Sequence, residues 1–348
     1  MTARHPRTPN LNIPYRSRAE YEPVDLERLR PKGSYRELIR KRTHTIDELV
    51  AKYGRIPPDL LRPRPCPTCG SESAAVELEK DHLTIVRCGE CDLVYVTPIF
   101  DEAHYRAVYG SAEYQQIMGD LGESSHEYRT ERFGRERVAI MARHLDIEGP
   151  ARYLDVGCST GFVVEAARDA GWSAVGIDLN PSAIAFGQGR GLDLRVGDLD
   201  SCAFPAASFD AVSLFDVLEH LPNPGDVLRR CVTLLRPAGI LFLYVPNYDS
   251  ASRLLMGADA HFIWPTHHLN YYTPGTITGT LARFGLDVAW LATEGLDVAD
   301  YIWYRREMRG DDTAVLEELA DTLQFLANAG AYGKNLRVIA RRHAGAAA

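Results

Sequence analysis

The chain has 348 residues, of which 45% are hydrophobic and 25% charged, and its formal net charge at pH 7 is −8. This length is enough for one large domain and a smaller one, and the composition is typical of a soluble protein. No apolar run is long enough to span a membrane, and the N-terminus lacks an apolar signal core, so we expect a cytoplasmic protein without a membrane partner. In that compartment the seven cysteines should be reduced or bound to a metal.

Positive charge is concentrated near the N-terminus. Residues 1–65 contain 15 of the 39 Lys and Arg but only 8 of the 47 Asp and Glu, a net charge of +7, which leaves a net charge of −15 on the rest of the chain. A basic head of this kind can bind nucleic acid. We favour the alternative that it lies against the acidic body, because an acidic surface repels a polyanion, and we expect no nucleic-acid partner.

The first predicted unit is this basic N-terminal arm, residues 1–65. Residues 1–23 contain four prolines and show no periodicity, which is typical of an extended segment. Capping-box patterns at 34–37 and 45–48 predict two short helices between about residues 35 and 53. Four prolines between residues 57 and 65 then interrupt the chain.

A cysteine module follows, with the spacing C-x2-C-x18-C-x2-C. Cys66, Cys69, Cys88 and Cys91 form two pairs that can present four thiolates in the tetrahedral arrangement that Zn²⁺ prefers. Because four thiolates leave no open coordination position, we expect a structural zinc. The alternative, a pair of redox-active dithiols, is disfavoured since nothing nearby resembles a thioredoxin-like motif. We predict a zinc ribbon over residues 66–96.

A tyrosine-rich connector, residues 97–130, leads into residues 131–348, where strand-like and helix-like patterns alternate. The predicted strands are 151–156, 173–178, 192–196, 209–215, 239–245 and 335–342. The predicted helices are 132–145, 161–170, 181–190, 224–236, 275–284 and 312–328, the last within an insertion between residues 291 and 334. This alternation predicts an α/β domain with a mainly parallel sheet and helices on both faces.

The most informative stretch begins where the first of these strands ends. Residues 154–161 read Leu-Asp-Val-Gly-Cys-Ser-Thr-Gly, a glycine-bearing turn that leads into a helix. Because glycine has no Cβ, a ligand can approach the main chain closely, near N–H groups left free at the start of the helix. Asp178 ends the next strand, where it can accept hydrogen bonds from ribose hydroxyls. The two features together predict a nucleoside-binding β-α-β unit.

Details of the turn indicate which nucleoside binds. Asp155 stands two residues before Gly157, in a D-x-G-x-x-x-G pattern that ends at Gly161. A carboxylate at that position repels a pyrophosphate and suits a cationic ligand. The pattern resembles motif I of the class I S-adenosylmethionine (SAM) methyltransferases, with Ser159 in place of the usual middle glycine. The resemblance covers roughly residues 130–342 and implies a Rossmann-like domain with a mainly parallel seven-stranded sheet. It also implies SAM as the cofactor. The alternative is that Asp155 only caps a turn in another Rossmann-like domain.

The same resemblance implies roles for residues around the turn. Asp178 and Leu179 would hold the ribose of SAM. Asp198 and Leu199 would hold the adenine, with helix capping as the alternative role of the acid. The complete predicted cofactor-binding set is Asp155, Gly157, Cys158, Gly161, Asp178, Leu179, Asp198, Leu199 and Phe215.

The segments after the fourth and fifth strands narrow the class of acceptor. Residues 218–220 read Leu-Glu-His, and 234–239 read Leu-Leu-Arg-Pro-Ala-Gly. This order, which continues to Pro246 and Asn247, resembles small-molecule methyltransferases, with Ala238 in place of their usual first glycine. Enzymes that methylate exocyclic base amines usually carry Asn/Asp-Pro-Pro-Tyr/Phe where this chain has Phe-Asp-Val-Leu, so methylation of nucleobase amines is disfavoured.

A hydroxyl acceptor benefits from a base with a pKa near 7, which indicates histidine. Three histidines qualify: His220 follows the fourth strand, and His267 and His268 follow the fifth, where His268 begins a His-Leu-x-x-Tyr-Thr pattern that resembles related enzymes. Ligands of open α/β sheets bind outside the carboxyl ends of the strands, so we predict His268 first and His220 second as the catalytic base. A structural hydrogen-bonding role for each stays open. The predicted substrate-pocket residues are Tyr271, Tyr272 and Asn247.

These features together predict SAM-dependent methylation of a small molecule, most simply of a hydroxyl on a sugar or secondary metabolite. The zinc-bearing head resembles bacterial methyltransferases of such pathways, including nucleotide-sugar C-methyltransferases, so C-methylation of a keto-sugar is the first alternative. An rRNA methyltransferase is disfavoured because the second knuckle of those enzymes typically continues through Cys-x3-His. A non-catalytic SAM-binding module is disfavoured by the intact acids Asp155, Asp178 and Asp198. A homodimer is left open.

Overall fold

The computed structural model describes residues 11–12, 17–29, 44–101, 103–105, 107 and 111–342. The first predicted helix of the arm, from about residue 35, lies outside the described residues. The second is present as the helix His44–Tyr53. Within the described ranges, no helix is long and apolar enough to cross a lipid bilayer. The structure comprises one chain, so the homodimer stays a prediction.

The elements are numbered in chain order. The α-helices are α1 (Leu26–Leu29), α2 (His44–Tyr53), α3 (Ala112–Arg129), α4 (Arg135–His144), α5 (Phe162–Asp169), α6 (Pro181–Gly189), α7 (Pro224–Leu234), α8 (Ala251–Met256), α9 (Pro274–Arg283), α10 (Asp297–Trp303) and α11 (Ala314–Ala329). The strands are β1 (Leu61–Arg62), β2 (Ala74–Lys80), β3 (Leu83–Cys88), β4 (Val94–Val96), β5 (Ile99–Phe100), β6 (Arg152–Val156), β7 (Ser173–Asp178), β8 (Leu194–Val196), β9 (Phe209–Phe215), β10 (Leu235–Pro246), β11 (Asn270–Tyr271), β12 (Leu286–Glu294) and β13 (Asn335–Arg342).

Seven strands form the central sheet, in the order β12-β13-β10-β9-β6-β7-β8. Strands β10, β9, β6, β7 and β8 pair in parallel, and β13 is antiparallel to both of its neighbours. The predicted mainly parallel seven-stranded sheet of a Rossmann-like α/β domain is therefore confirmed. The sequence did not predict β12 as a strand, because an irregularity between Val288 and Trp290 interrupts the two-residue alternation that identifies strands.

Helices cover both faces of this sheet. Neighbouring residues of a strand point to opposite faces, and Leu154 and Leu241 accordingly share one core with α7 and α9. Tyr153 and Ile240, the residues just before them, belong to a second core with α4, α5 and α6. All four side chains are fully buried, and each such side chain typically contributes about 1.5–3 kcal/mol to stability.

The region predicted as a connector contains the 18-residue helix α3. A π-helical turn, Thr130–Gly134, joins it to α4, so one long helical segment precedes the first central strand. Few residues of α3 are apolar, and its sequence therefore shows no helical stripe. Glycine at 134 permits close packing on α5, since a Cβ there would lie 2.8 Å from the Phe162 carbonyl oxygen.

The cysteine module supplies three strands of a second, antiparallel sheet, in the order β11-β4-β3-β2. The fourth strand, β11, comes from the segment after β10, and there Asn270 pairs with Tyr95 and Tyr271 with Val94. The buried Tyr95 and two of the module's cysteines also belong to the core beneath the central sheet. Strand pairing and core packing thus join the module to the α/β domain.

The insertion between β12 and β13 is anchored by a buried carboxylate. The predicted helix at 312–328 is present as α11. Asp297, at the start of α10, accepts hydrogen bonds from the Ser252 N–H at 3.0 Å, the Lys334 N–H at 2.7 Å and the Gln324 side chain at 3.1 Å. These bonds tie α8, α11 and the start of β13 together beside the central sheet.

Candidate active site

A cavity of about 1570 Å³ lies at the carboxyl ends of the central strands. This is where ligands bind in open α/β sheets. Two groups of residues in its lining are distinguished by the segments that carry them. The glycine-turn group is Asp155, Gly157, Cys158, Asp178, Leu179, Asp198 and Leu199, and the histidine group is Glu219, His220, Trp264, His267 and His268.

The glycine turn is fixed by the end of the neighbouring strand. The backbone N–H groups of Gly157 and Cys158 both donate to the Ile177 carbonyl, at 2.8 and 3.0 Å. Gly157 has a φ of +78°, and a Cβ there would lie 2.4 Å from Cγ2 of Val217. Glycine is required at this position by both its backbone conformation and the close approach of a neighbour. Ser159, at the usual glycine position of the motif, adopts a φ of +49°.

Asp178 is held in place by two backbone amides. The Ser159 N–H donates to one carboxylate oxygen and the Asn180 N–H to the other, each at 2.8 Å. Burial raises the pKa of this carboxyl, and the amide bonds oppose that shift. Each carboxylate oxygen has a further lone pair, so the group can still accept hydrogen bonds from a diol.

Asp155 is 2% exposed and lies at the end of a short chain of hydroxyl groups. It accepts a hydrogen bond from Ser213 Oγ at 2.5 Å, and that oxygen lies 2.6 Å from the Tyr153 hydroxyl. Burial raises the pKa of Asp155 to about 7, against the opposing effects of the Ser213 bond and the Arg137 charge. A cation in the cavity would favour the ionised form.

Asp198 caps a turn through one of its oxygens. Oδ1 accepts hydrogen bonds from the Asp200 N–H at 3.1 Å, the Ser201 N–H at 2.8 Å and the Ser201 hydroxyl at 2.7 Å. These bonds lower the pKa of the carboxyl. The capped element is a turn and not a helix, and the bonds engage Oδ1, so an adenine contact would fall to Oδ2.

Sequence reasoning missed Arg137, which also lines the cavity. This arginine of α4 is 8% exposed, and its guanidinium carbon lies 4.2 Å from the ring centroid of Phe215 and 4.7 Å from that of Tyr244. Aromatic ring faces stabilise a buried cation at such distances. No motif surrounds it, and an arginine in a predicted surface helix is ordinarily taken to be solvated.

In the histidine group, His220 and His268 each direct Nδ1 toward a backbone carbonyl oxygen. Nδ1 of His220 lies 3.0 Å from the His267 carbonyl oxygen, and Nδ1 of His268 lies 2.8 Å from that of Phe262. A carbonyl oxygen can only accept, so we assign the proton to Nδ1 in both rings, which makes each Nε2 a lone-pair donor. Burial lowers the pKa of His220 to about 4 and that of His268 well below its usual value, so both rings are neutral at pH 7.

Glu219 lies beside the two imidazoles. It is 1% exposed, and its Oε1 is 3.8 Å from Nε2 of His220. Burial, followed by the nearby Asp216, raises the pKa of this carboxyl well above its usual value. One ligand atom from each of Glu219, His220 and His268 lies within 4.8 Å of the other two.

A buried arginine from the edge of the cysteine module holds this region. The Arg64 guanidinium donates to the Val96 carbonyl at 3.0 Å, the Pro222 carbonyl at 2.6 Å, the Leu269 carbonyl at 2.7 Å and the Asn270 side chain at 3.1 Å. It thereby joins β4 to both segments that carry the histidines. Burial lowers its pKa to about 10, a range in which it is still charged at pH 7.

The segment after β9 is also bonded directly to the segment after β10. The Asn270 amide donates to the Leu221 carbonyl at 2.8 Å and the Leu218 carbonyl at 3.3 Å, and the Leu269 N–H donates to the Glu219 carbonyl at 2.7 Å. The relative positions of His220 and His268 therefore depend on β11 and the sheet to which it belongs.

Comparison with known proteins identifies the family. A family model described as a methyltransferase domain matches residues 126–290. Relatives named ubiquinone biosynthesis O-methyltransferase, from Xanthomonas axonopodis pv. citri and Xanthomonas oryzae pv. oryzae, are each 33% identical over 177 residues, covering 47% of this chain and 70% of theirs. The chain belongs to the class I SAM-dependent methyltransferases. The matched segment contains both cavity groups, whereas the cysteine module of this methyltransferase precedes it.

This methyltransferase is also similar to solved methyltransferase structures. A SAM-dependent methyltransferase from Archaeoglobus fulgidus is 21% identical with a TM-score of 0.46, and the match covers 66% of this chain and 100% of the other. The 1,6-didemethyltoxoflavin-N1-methyltransferase of Burkholderia thailandensis is 18% identical with a TM-score of 0.44, and the match covers 78% and 100%. The fold assignment for this methyltransferase rests on the strand order of the central sheet and on the cavity at the carboxyl ends of its strands.

Most predicted cofactor residues of the methyltransferase line the cavity. All of the predicted set except Gly161 do so, including Phe215, which is 7% exposed. Gly161 is not among the lining residues. It precedes α5 with a φ of +82° and lies close to the Leu194 side chain.

The three predicted substrate-pocket residues require a correction. Tyr271, Tyr272 and Asn247 are each at most 1% exposed, and none of them is among the cavity-lining residues. Tyr271 is paired in β11 and packs in the core of the cysteine module, where its ring centroid is 5.8 Å from that of Tyr248. The Asn247 amide instead donates to the Gly333 carbonyl at 3.0 Å. The lining on this side comes from Trp264, His267 and His268.

The four cysteines of the module converge as the spacing predicts. All four sulfurs lie within 4.8 Å of one another, and the pairs Cys66–Cys91 and Cys69–Cys88 are each separated by 3.5 Å. A tetrahedral zinc with bonds of about 2.3 Å places its sulfurs about 3.8 Å apart. The observed arrangement fits such an ion with small adjustments.

Proposed function

We propose that this methyltransferase transfers the methyl group of SAM to a hydroxyl of a small molecule, with a sugar or another secondary metabolite as the acceptor class. The observation that carries the proposal is that the glycine-turn group and two neutral imidazoles line one cavity. Its volume of about 1570 Å³ exceeds the ~300–1,000 Å³ of a typical single-ligand pocket, which leaves room for SAM and an acceptor together. The name of the relatives, O-methyltransferase, supports a hydroxyl acceptor.

On the donor side, the glycine-turn group holds the nucleoside in this proposal. Asp178 and Leu179 contact the ribose, with the carboxylate accepting from its hydroxyls. Asp198, through Oδ2, accepts from the adenine amino group, and the N–H of Leu199 contacts the ring. Gly157 and Cys158 allow the ligand to approach the main chain, and Phe215 packs beside it.

The charged ends of the methionine part of SAM require opposite charges. Asp155 suits its ammonium group, and Arg137 suits its carboxylate, because each is buried at the cavity wall and carries the complementary charge. Such pairs are strong where water is excluded. In this proposal, the two residues bind the methionine part of SAM at its two charged groups.

On the acceptor side, the histidine group receives the hydroxyl. Methyl transfer is an in-line displacement, so alignment of the oxygen with the methyl carbon and sulfur supplies much of the rate. The acceptor oxygen bonds to the methyl carbon as the carbon–sulfur bond breaks, and the hydroxyl proton must leave. We propose His268, and after it His220, as the catalytic residues that present an Nε2 lone pair to this hydroxyl. C-methylation of a keto-sugar is the alternative, with proton removal next to a carbonyl at the same imidazoles.

We also propose that Cys66, Cys69, Cys88 and Cys91 hold one structural zinc. A hydrogen bond typical of a thiolate knuckle supports this, since the Glu90 N–H lies 3.4 Å from the Cys88 sulfur.

The corresponding division of the chain is an arm over 1–65, a zinc ribbon over 66–96, a connector over 97–130 and the methyltransferase domain over 131–348. Metal analysis of the purified protein tests the zinc, and a ratio near one per chain is expected.

The test of the acceptor class uses SAM labelled in its methyl group and an extract of the source cells. We expect the label in the small-molecule fraction, and we expect nuclease treatment to leave the amount of transferred label unchanged. RNase-sensitive label would favour an rRNA methyltransferase, and the absence of transfer to any fraction would favour a SAM-binding module.

Variants locate the reaction within the cavity. His268→Ala and His220→Ala should each lower kcat by about 10²–10⁴-fold if the imidazoles assist proton removal. His144→Ala is the matched control, because His144 lies at the end of α4 and bonds to the Ile140 carbonyl, away from the cavity lining. Near-normal turnover in both cavity variants would remove these residues from the mechanism.

A further inference from the structure

The helix α3 forms one wall of the cavity on its donor side. Leu121 and Arg129, from the middle and the end of this helix, both belong to the cavity lining. Gly122 lies against the glycine turn, since a Cβ there would be 3.0 Å from Cγ2 of Thr160 and 3.4 Å from the hydroxyl oxygen of Ser159. The packing of α3 on this turn therefore determines how closely the donor side of the cavity is covered.

Asp178, the carboxylate that we propose for the ribose, depends on α3 for one of its two supports. The Asn180 N–H donates to this carboxylate at 2.8 Å. The side chain of the same asparagine donates to the Gln115 carbonyl oxygen of α3 at 3.2 Å, and its own oxygen accepts from two N–H groups at the start of α6. These bonds join α3, the start of α6 and the end of β7 beside the cavity.

The second support of Asp178 is tied to α3 through a buried imidazole. The Ser159 N–H donates to the carboxylate, and the next residue, Thr160, has its hydroxyl oxygen 2.8 Å from Nδ1 of His126 in α3. Nε2 of the same ring lies 2.6 Å from Oε2 of Glu165 in α5. The imidazole is 1% exposed, and its two nitrogens are engaged by the turn on one side and by α5 on the other.

The positions of the protons follow from these partners. Glu165 also accepts from the Arg190 guanidinium at 3.1 Å and from that of Arg168 at 3.2 Å. Burial opposes ionisation of Glu165, but the bonds from His126 and Arg190 outweigh it and lower the pKa of the carboxyl. Burial also lowers the pKa of His126, against the opposing effect of Glu165. We therefore assign a neutral ring at pH 7, whose Nε2–H donates to the carboxylate and whose Nδ1 accepts from the Thr160 hydroxyl.

We infer that His126 is a positioning residue for the methyl donor, which holds α3 on the glycine turn through Thr160 and thereby orients Asp178 toward the ribose of SAM. SAM binds in the site that α3 closes and leaves it when α3 separates from the turn. His126 is not among the cavity-lining residues, so it acts through the turn and not by contact with the donor. This inference deepens the donor side of the proposed function and rests on it.

The alternative is that the carboxylate–imidazole–hydroxyl chain only stabilises the fold. A satisfied buried polar network contributes to stability in either case. A purely structural role changes the free energy of unfolding and leaves the affinity of the folded protein for SAM unchanged. A positioning role changes that affinity, and by linkage SAM must then strengthen the docking of α3 by the same factor.

Two variants interrupt the chain while keeping the shapes of the side chains. Thr160→Val replaces the hydroxyl by a methyl group, and His126→Phe keeps a ring without its nitrogens. Each should raise the SAM dissociation constant by about tenfold, mainly through faster dissociation. Calorimetry measures the affinity, stopped-flow displacement by excess S-adenosylhomocysteine measures the dissociation rate, and circular dichroism verifies that each variant is folded at the temperature used.

Conservative and distant variants are the controls. Thr160→Ser keeps the hydroxyl and should bind SAM within about threefold of the wild-type affinity. Thr233→Val should have the wild-type affinity, because Thr233 bonds to the Arg229 carbonyl within α7 and is not among the cavity-lining residues. The double variant Thr160→Val, His126→Phe should bind within about threefold of either single variant, because both changes interrupt one connection.

Hydrogen exchange measures the reciprocal effect on α3. Saturating SAM should slow exchange of the α3 amides by about tenfold in the wild type, and this protection should be largely lost in Thr160→Val. A network that only stabilises the fold would change exchange equally with and without SAM.

Each outcome bears on the inference. Wild-type SAM affinity and dissociation rate in both Thr160→Val and His126→Phe, or α3 exchange that SAM leaves unchanged in the wild type, overturns the positioning role while the proposed function stands. Failure of the wild type to bind SAM overturns the donor side of the proposed function and this inference with it. The measurements need no acceptor, so an error in the acceptor class does not affect them.

Discussion

The glycine-turn group and the histidine group line the same cavity but are constructed differently. The first comes from turns that follow the adjacent strands β6, β7 and β8, and backbone bonds such as Gly157 N–H to Ile177 O fix its shape. The second comes from two segments about fifty residues apart, which are held together by Arg64, just before the cysteine module, and by Asn270 of β11. The first group is a property of a local motif, whereas the second depends on hydrogen bonds between distant segments of the chain.

The largest expected effect comes from removing the metal that we propose for the cysteine module. Cys66→Ser should abolish stoichiometric zinc binding and methyl transfer, because the module supplies β4, on which β11 pairs next to the histidines. The glycine-turn group lies on other strands. If the two groups are independent, the SAM dissociation constant should stay within about threefold of the wild-type value. Metal analysis, turnover and calorimetric SAM titration measure the three quantities.

Cys202→Ser is the control for this change, since Cys202 lies outside the four-sulfur cluster. Loss of SAM binding in Cys66→Ser in parallel with loss of zinc would show that the two groups are not independent.

The second prediction acts on the glycine-turn group alone. Gly157→Ala should weaken SAM binding by about 100-fold or more, because the new methyl group would lie 2.4 Å from Val217 in a backbone with a φ of +78°. Gly171→Ala is a matched control, because its φ is +82° but a Cβ there has no atom within 4 Å. Comparable losses of SAM binding in both variants would attribute the effect to backbone strain rather than to the cavity.

The third prediction acts on the histidine group through its support. Arg64→Lys should reduce kcat about tenfold and the free energy of unfolding by about 2–3 kcal/mol, because an ammonium group cannot reproduce four hydrogen bonds of a planar guanidinium. The KM for SAM should be unchanged. Arg229→Lys, in an exposed ion pair with Asp226, should alter the free energy of unfolding by less than about 0.5 kcal/mol.

Arg64 touches no cavity ligand directly, so it is a positioning residue. A purely structural role would lower the free energy of unfolding without reducing kcat at temperatures where the variant is folded, and that result would contradict the prediction.

The smallest expected effect is a pH dependence of donor binding. The pKa of Asp155 is raised to about 7 by burial, so the carboxyl is largely protonated at pH 6 and largely ionised at pH 8. Since cationic SAM favours the ionised form, its affinity should rise by up to about tenfold between pH 6 and pH 8, with release of a proton on binding below pH 7. Calorimetry in two buffers of different ionisation enthalpy measures the released proton.

Asp155→Asn should remove this pH dependence, whereas Asp193→Asn, at an exposed ion pair with Arg195, should retain it. An affinity for SAM that is independent of pH in the wild type would mean that Asp155 does not face the positive charge of the donor.

Elements with a local pattern were predicted well. Between β6 and α9, the strands and helices that were predicted lie close to their expected positions, because each carries its own apolar periodicity, whereas the short elements α8 and β11 were not predicted. The helix α3 and the strand β12 were missed for the complementary reason: one has few apolar residues and the other contains an irregularity. Arg137 was missed because its burial depends on the rings of Phe215 and Tyr244, which come from other strands.

The prediction of substrate-pocket residues was limited in the same way, by contacts with distant parts of the chain. The sequence placed Tyr271, Tyr272 and Asn247 near the acceptor because they follow the fifth strand, but pairing of β11 with β4 turns this stretch into the edge of the second sheet. Aromatic residues there pack against the cysteine module, and the preceding residues, from Trp264 to His268, line the cavity instead. A strand pairing across about 175 residues leaves no local trace in the sequence.

The sequence by itself determined the family, the glycine turn and the four-cysteine cluster, because each depends on residue types at short, fixed spacings. The tertiary structure alone decided that Glu219, His220 and His268 meet, that both imidazoles are neutral and share one tautomer, and that Arg64 supports them. These properties arise from burial and from bonds between distant segments. They therefore depend on how the two sheets pack together.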